Sequence, residues 1–401
     1  AKQVLEELPF RNVVSWSALI SGYVQQGQGH EALNCFVEMK HNGISPDVIT
    51  FISILKACGS TCAIEKGKQI HEEIFSKGLL HKDIMLDNAL VDMYAKFGML
   101  AKAQQVLEEL PIRDVVSWNA LMAGYVQQEQ GYEAFDCFER MQRDGVSPDT
   151  VSFICILKAC AIGRLMDKGK QIHEEIAHMG LLEKDIVLGN ALVDMYAKCD
   201  MISKAQQALD DLPDRDIISW NVLITGYVQG GHSREALDCF PRMQREGLYP
   251  NEVTFTCILK ACASIGAIDM GKQIHHEMVS RGFLKKSIVL GCGLVDMYAK
   301  CGMLAKAQQV LEDLSIRDTI SWSALIAGYS QKGKFDEALN CFEQMQREGL
   351  DPNEVTFLSV LNACSQTGKL VEAQVYYEKM SQKYGFTFAH VPESSKPQLT
   401  I

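Results

Sequence analysis

The chain has 401 residues, 47% of them hydrophobic and 22% charged, with a formal net charge of -11. That balance fits a folded chain and excludes a disordered one. No apolar run reaches the roughly 18 residues that a membrane-spanning helix needs, so no membrane partner is expected. The acidic total excludes a nucleic-acid binder that relies on a uniformly basic surface.

No signal peptide or Arg-rich transit segment stands at the start. Ala1-Lys2-Gln3-Val4 already lies inside a helical pattern, so the N-terminus reads as a cut end with targeting information removed. Residues 1–12 read as the end of a helical unit, and segment 13–47 reads as two helices. In the first of these, Trp16, Leu19, Ile20 and Tyr23 fall at i, i+3, i+4 and i+7, one apolar face. Gly27 and Gly29 punctuate, and the second helix carries Ala32, Leu33, Phe36 and Met39 on one face. Gly43 marks a left-handed cap, and Pro46 prevents continuation. Segments 48–83 (FISILKAC…GKQIHEEI) and 84–114 (NALVDMYAKFGMLAKAQQVLEEL) follow the same two-helix plan. The triplet of 35, 36 and 31 residues then returns as 115–149, 150–185 and 186–216, and as 217–251, 252–287 and 288–318. Segment 319–353 begins it again, and 354–390 opens a further 36-residue part. The tail 391–401 has no repeat character and reads as disordered.

The 102-residue period is carried by Trp16, Trp118, Trp220 and Trp322, and by Cys35, Cys137, Cys239 and Cys341. Cys58, Cys160, Cys262 and Cys364 keep the same spacing. Cysteines recurring once per unit read as small buried hydrophobes in a reduced compartment, not as disulfides. One helical hairpin cannot bury its apolar face alone but stacked hairpins can, which predicts an all-α solenoid with a concave groove. Pro241 stands inside a second helix where Val37, Glu139 and Glu343 stand in the others; an interior Pro costs about 3 kcal/mol and predicts a local bend. Both ends are cut mid-pattern, and end repeats without polar caps favour homo-dimers or aggregation.

Nothing points to catalysis. A zinc deaminase needs His-x-Glu with Cys-x-x-Cys. His71/Glu73, His173/Glu175 and His275/Glu277 supply the first, but their recurrence at one repeat position marks a structural helix. No Cys-x-x-Cys occurs. There is also no phosphate-binding loop, nucleophile elbow or His-Glu-x-x-His. The chain is expected not to be an enzyme, with no cofactor and no metal.

Two-helix units of this length also build tetratricopeptide repeats, but there the Trp is followed by x2-L-G-x2-Y. Here VVSWSALISGYVQQ, the P-D or P-N ending, LKAC…GKQIH and NALVDMYAKFG resemble the P, L and S repeats of the plant pentatricopeptide-repeat (PPR) family, over residues 1 to about 388. The 35-, 36- and 31-residue parts match P, L and S in that order. The resemblance implies a right-handed superhelix that binds single-stranded RNA, 5′ to 3′ from N to C, about one base per repeat. It implies that the fifth and last residues of a repeat meet the base edge and that the second packs on the base face. It also implies a mitochondrial or chloroplast protein, often a specificity factor for cytidine-to-uridine editing. The C-terminal editing domain of many relatives is missing from these residues, so a deaminase is expected in trans. A small editing-factor protein is expected on the L repeats.

The chemistry of those positions agrees with such reading. A carboxylate only accepts hydrogen bonds and suits the ring N–H of uracil or guanine, whereas an amide can donate to the bare ring nitrogen of cytosine or adenine. A small fifth residue leaves room for a purine, and Asn favours a pyrimidine. Ser17 with Asp47 then suggests G, and Asn88 with Asp114, Asn119 with Asp149 and Asn190 with Asp216 suggest U. Asn221 with Asn251 suggests C, Ser323 with Asn353 suggests A, and Thr256 with Ser287 favours A. Cys292 with Asp318 departs from the pattern, and its base stays open. Ile52 and Ile154 at the fifth position of two L repeats do not read by hydrogen bonding. The expected target is 5′-GnUUnUCnnA-3′. Val14, Met85, Val116, Val187, Ile218, Val289 and Ile320 at position two are expected both to pack between repeats and to show an edge to a base. Lys96, Lys198 and Lys300 are candidates for phosphate contact. The same binding would serve RNA stability, splicing or translation, and a protein-binding scaffold is the reading from a different class.

Overall fold

The computed structural model describes residues 11–384; most of segment 1–12 and all of the tail 391–401 lie outside them. Among the described residues the chain forms α-helices, one short 3-10 helix (Phe283–Lys285) and no strand. It divides into two compact units, residues 1–214 and 215–401. The first unit holds α1 (Val13–Gln25), α2 (Gly29–His41), α3 (Val48–Thr61), α4 (Ile64–Ser76), α5 (Ile84–Lys96), α6 (Leu100–Glu109), α7 (Val115–Gln127), α8 (Gly131–Arg143), α9 (Thr150–Gly163), α10 (Met166–His178), α11 (Ile186–Lys198) and α12 (Ile202–Asp210). The second holds α13 (Ile217–Gln229), α14 (Ser233–Arg245), α15 (Glu252–Ile265), α16 (Ile268–Ser280), α17 (Ile288–Lys300), α18 (Leu304–Asp313), α19 (Thr319–Gln331), α20 (Phe335–Arg347), α21 (Glu354–Thr367) and α22 (Leu370–Tyr384). Each odd-numbered helix begins at the first residue of one of the repeats.

Within each unit, successive first helices pack on one another: α1 on α3, α3 on α5 and so on to α11, then α13 on α15 and so on to α21. Second helices pack on the first helix of their own hairpin and commonly on that of the next. The first helices therefore form one layer and the second helices back it, an α-solenoid in each unit. The apolar periodicity dictates this. Trp118 and Trp220 are fully buried with Leu121, Ile224, Phe153 and Phe255.

Local signals act as expected. Gly43 takes φ +71°, and the N–H groups of Gly43 and Ile44 close onto the Lys40 and Met39 carbonyls, ending α2. None of the fourteen cysteines is in a disulfide, and all eight that follow the 102-residue spacing are buried. Burial pushes the Cys137 and Cys160 thiols up to about 12. Helix α14 runs through Pro241 over the same 13 residues as its counterparts. The proline removes one donor to the Leu237 carbonyl without ending the helix.

The repeated histidines tie the layers together. His71, His173 and His275 in α4, α10 and α16 share hydrogen bonds of 2.8, 2.7 and 2.9 Å with the hydroxyls of Tyr94, Tyr196 and Tyr298. Burial holds each imidazole below its ordinary pKa, assisted by Lys102, Lys204 and Lys306 respectively.

Candidate nucleic-acid interface

The last residue of every repeat is the N-cap of the following first helix. Asp47 accepts from Thr50 N–H, Asp149 from Ser152 N–H, Asn251 from Thr254 N–H and Asn353 from Thr356 N–H. A cap needs a short side chain with an acceptor oxygen, so Asp, Asn and Ser are the residues that serve. The same side chain is joined to the fifth residue of its own repeat. Asn119 Nδ2 donates to Asp149 Oδ1 at 3.0 Å, and Asn221 Nδ2 to Asn251 Oδ1 at 3.1 Å. Asn88 Nδ2 donates to both oxygens of Asp114 at 3.1 Å. Ser17 donates to Asp47 Oδ1 at 3.2 Å, Ser323 to Asn353 Oδ1 at 3.1 Å, and the Cys292 thiol to Asp318 Oδ1 at 3.2 Å. Asn190 lies in the first unit, with its Oδ1 buried and unpartnered, and Asp216 caps α13 in the second.

A third side chain, overlooked in the sequence, completes the cluster in the P repeats. Ser152 Oγ donates to Asn119 Oδ1 at 2.7 Å, and Thr254 Oγ1 to Asn221 Oδ1 at 2.7 Å. Thr50 and Thr356 stand at 2.6 Å from the Ser17 and Ser323 hydroxyls. Its signal was a Ser or Thr at the third position of the helix that follows each P or S repeat. In the S repeat at 84–114 the equivalent Ser117 turns to the Asp114 carbonyl, which leaves Asn88 Oδ1 buried without a partner.

These bonds decide which atoms remain. Asp149 spends Oδ1 on Ser152 and Asn119, leaving Oδ2; Asn119 retains one N–H. The remainder is one acceptor beside one donor. Asn251 Oδ1 faces three donors, which fixes the amide with Nδ2 outward, so Asn221 and Asn251 offer donors only. Burial works against charge on Asp149. Hydrogen bonds from Ser152 N–H, Asn119 and the Ser152 hydroxyl outweigh it and hold the carboxyl below the usual range. Asp47 and Asp318 are held low in the same way, by Thr50 and Ser17 and by Ser321 and Cys292. The Cys292 thiol is pushed up to about 12 by burial and by Asp318, so it is a neutral donor.

The L repeats differ. Asp83 and Asp185 cap α5 and α11, while Ile52 and Ile154 stand half-buried at position five. Thr256 donates to the Glu252 carbonyl and Ser287 to the Glu252 carboxylate, so this pair is joined through Glu252 and not directly.

The position-two residues are exposed. Val14, Met85, Val116, Val187, Ile218, Val289 and Ile320 are 54–67% exposed, so each shows part of its side chain to solvent and keeps part covered. The L repeats extend the stripe with Ile49, Val151, Val253 and Val355, which the sequence reading left out. In the first unit a trough of about 450 Å³ is lined by Met85, Val116, Asn88, Asp114, Asn119 and Lys56, among others. Lys96, Lys198 and Lys300 are paired with Asp92, Asp194 and Asp296 one turn earlier at 2.7–2.8 Å. Their charge is therefore met within their own helix, which the phosphate expectation did not foresee.

The same hairpin, ending on a residue that caps the next first helix, recurs through both units. Models of the PPR repeat family match residues 11–60, 113–162, 215–264 and 317–366, and PPR repeats match at 88–115, 253–283 and 355–384, together more than half of the chain. The chain belongs to the PPR repeat family. It is 36% identical over 378 residues to the mitochondrial pentatricopeptide repeat-containing protein At3g09040 of Arabidopsis thaliana, covering 94% of this chain and 36% of that protein. With the chloroplastic protein At1g11290 of the same plant it shares 37% over 373 residues, 93% of this chain and 46% of that one. The chain thus spans less than half the length of these two relatives. The crystal structure of PPR10 from maize matches with a TM-score of 0.69 at 19% identity, over 96% of this chain and 60% of that one. PPR10 in complex with an 18-nt psaJ RNA element matches at 0.66 and 20% identity, over 93% of this chain and 61% of that one. These likenesses establish the PPR solenoid fold.

Proposed function

We propose that this PPR chain binds single-stranded RNA and reads about one base per repeat through the joined fifth and last residues. The observation that carries the reading is the set of polar atoms left over at each cluster. An acceptor beside a donor, as at Asn119 and Asp149, matches uracil N3–H and a neighbouring carbonyl. Donors alone, at Asn221 and Asn251, match cytosine N3 and O2. Ser323 with an outward Asn353 amide leaves a donor and purine-sized room for adenine N1. Ser17 with a free Asp47 oxygen leaves an acceptor for guanine N1–H. The exposed position-two stripe supplies apolar contact to base faces. The target is 5′-GnUUnUCnnA-3′, and PPR10, whose fold this chain shares, has been crystallised with an RNA element.

The role we assign is recognition half of a P-L-S-class organellar editing factor, in the mitochondrion or chloroplast, the compartments that its relatives' names carry. The chain itself is not an enzyme in this reading; a deaminase and a small editing-factor protein on the L repeats come from other chains. Target RNA mixed with the chain alone should keep its cytidine, and sequencing that RNA after incubation checks this. The first test is fluorescence anisotropy with labelled 5′-GAUUAUCAAA-3′, a shuffled RNA and the matching DNA. The designed RNA should bind tightest; equal binding to all three refutes base reading and leaves the protein-scaffold role.

A further inference from the structure

The first helices carry six cationic side chains among the described residues, and they fall into two classes. Lys96, Lys198 and Lys300 end the S-repeat helices, each paired with an Asp four residues earlier. Lys56, Lys158 and Lys260, at the ninth position of the L repeats, are exposed and form no ion pair among the described residues. Four residues before each stands Ile52, Ile154 or Thr256, so no carboxylate is in reach one turn away. Lys56 lines the trough together with Ile52, Asn88, Asp92, Asp114, Val116 and Asn119; Asp92 is paired with Lys96, and Lys56 forms an ion pair with neither carboxylate, so its ammonium stands beside two of the base-reading clusters. In the last L-type repeat the ninth residue is Asn362, whose amide donates to Ser330 at 3.0 Å, so that repeat has no such cation.

We propose that Lys56, Lys158 and Lys260 are phosphodiester contacts, and that the L repeats hold the RNA strand by its backbone where the P and S repeats read its bases. This rests on the RNA-binding reading above. The physical case has two parts. An acidic chain needs unpaired cations where the strand runs, because phosphate contacts supply most sequence-independent affinity. The L repeats place an apolar or self-bonded side chain at position five, so their base register is free of edge reading while a mobile ammonium one turn on can follow a phosphate. The L repeats are then clamps that set register, not blank spacers.

The test is the salt dependence of binding to 5′-GAUUAUCAAA-3′ by anisotropy, for wild type, K56Q/K158Q/K260Q, K56R/K158R/K260R and K96Q/K198Q/K300Q. Each phosphate contact to a single strand contributes about 0.7 to the slope of log K against log salt. The first Gln triple should flatten the slope by about 2, and the Arg triple should restore it. The preference for the designed over the shuffled RNA should stay unchanged, because phosphate contacts carry no base information. The paired-lysine triple should change the slope by less than about 1. Thermal unfolding of each variant separates lost contacts from lost fold, since all these lysines are solvent-facing. A single neutral methylphosphonate at the second nucleotide should weaken wild type and leave K56Q unaffected. A wild-type slope in K56Q/K158Q/K260Q, or equal methylphosphonate loss in wild type and K56Q, overturns the phosphate assignment alone. No RNA binding by the wild type overturns the RNA reading with it.

Discussion

Asn119→Ser is the sharpest probe of the proposed base reading. In the native cluster Asn119 Oδ1 takes the Ser152 hydroxyl at 2.7 Å, and Nδ2 gives one hydrogen to Asp149 at 3.0 Å and keeps one for a base. A serine there would reproduce the Ser17 arrangement, in which the hydroxyl stands 2.6 Å from Thr50 and 3.2 Å from Asp47. The internal bonds are therefore replaced, and the fold should lose no more than about 1 kcal/mol. What is lost is the spare N–H toward the base, and what is gained is the volume of an amide. A hydrogen bond to a base contributes about 1–1.5 kcal/mol, so uracil at the fourth position should bind roughly tenfold more weakly. Asp149 Oδ2 still accepts, so guanine at that position should become the preferred base. The assay is anisotropy with 5′-GAUUAUCAAA-3′ and its three variants at the fourth base, for wild type and N119S. An unchanged base order in N119S, with a native melting curve, would refute the argument from leftover atoms.

Three further outcomes follow from particular contacts. Cys292 is a short neutral donor to Asp318, like Ser17 to Asp47, so the ninth base should be read as guanine, and C292N should move the preference to uracil; the same titration with the ninth base varied checks both, and indifference to that base in wild type counts against it. Trp220 and Trp322 donate to Glu246 and Glu348, whereas Asp144 falls one methylene short and pairs with Arg113, leaving Trp118 Nε1 buried without a partner. Asp144→Glu should stabilise the first unit by about 1 kcal/mol, and Glu246→Asp should cost the second a similar amount, read from chemical denaturation. His71, His173 and His275 are held below the ordinary 6.5, so below about that pH the unfolded chain binds more protons than the folded one. Their stabilisation is complete above about pH 6.5 and is lost as pH falls through the folded values. H71Q/H173Q/H275Q should show a smaller drop in melting temperature between pH 7.5 and 5.5 than wild type, and an equal drop would remove the histidines from the account.

Much of this molecule was legible along the chain because it depends on spacing and local chemistry. The apolar periods around Trp16, Trp118, Trp220 and Trp322 mark which helix faces are buried. Gly43 and Pro46 mark where hairpins stop. Asp, Asn or Ser before each first helix is a strong N-cap, so the solenoid and its register follow from residues within a few positions of each other. Even the lysine classes were within reach, since Asp92 stands one turn from Lys96 and Ile52 one turn from Lys56.

Tertiary packing decided the rest, because it concerns atoms some 26 to 36 residues apart in the chain. Whether a position-two valine is core or surface depends on how closely the next hairpin approaches, and the stacking leaves Val116 more than half exposed. Which oxygen of Asp149 is spent and which is left depends on Asn119 in the preceding hairpin meeting Ser152 in the next helix. One methylene between Asp144 and Glu246 determines whether a buried indole finds its acceptor. Helical periodicity sets the faces, but only the meeting of two hairpins sets which polar atoms remain unpaired at each cluster.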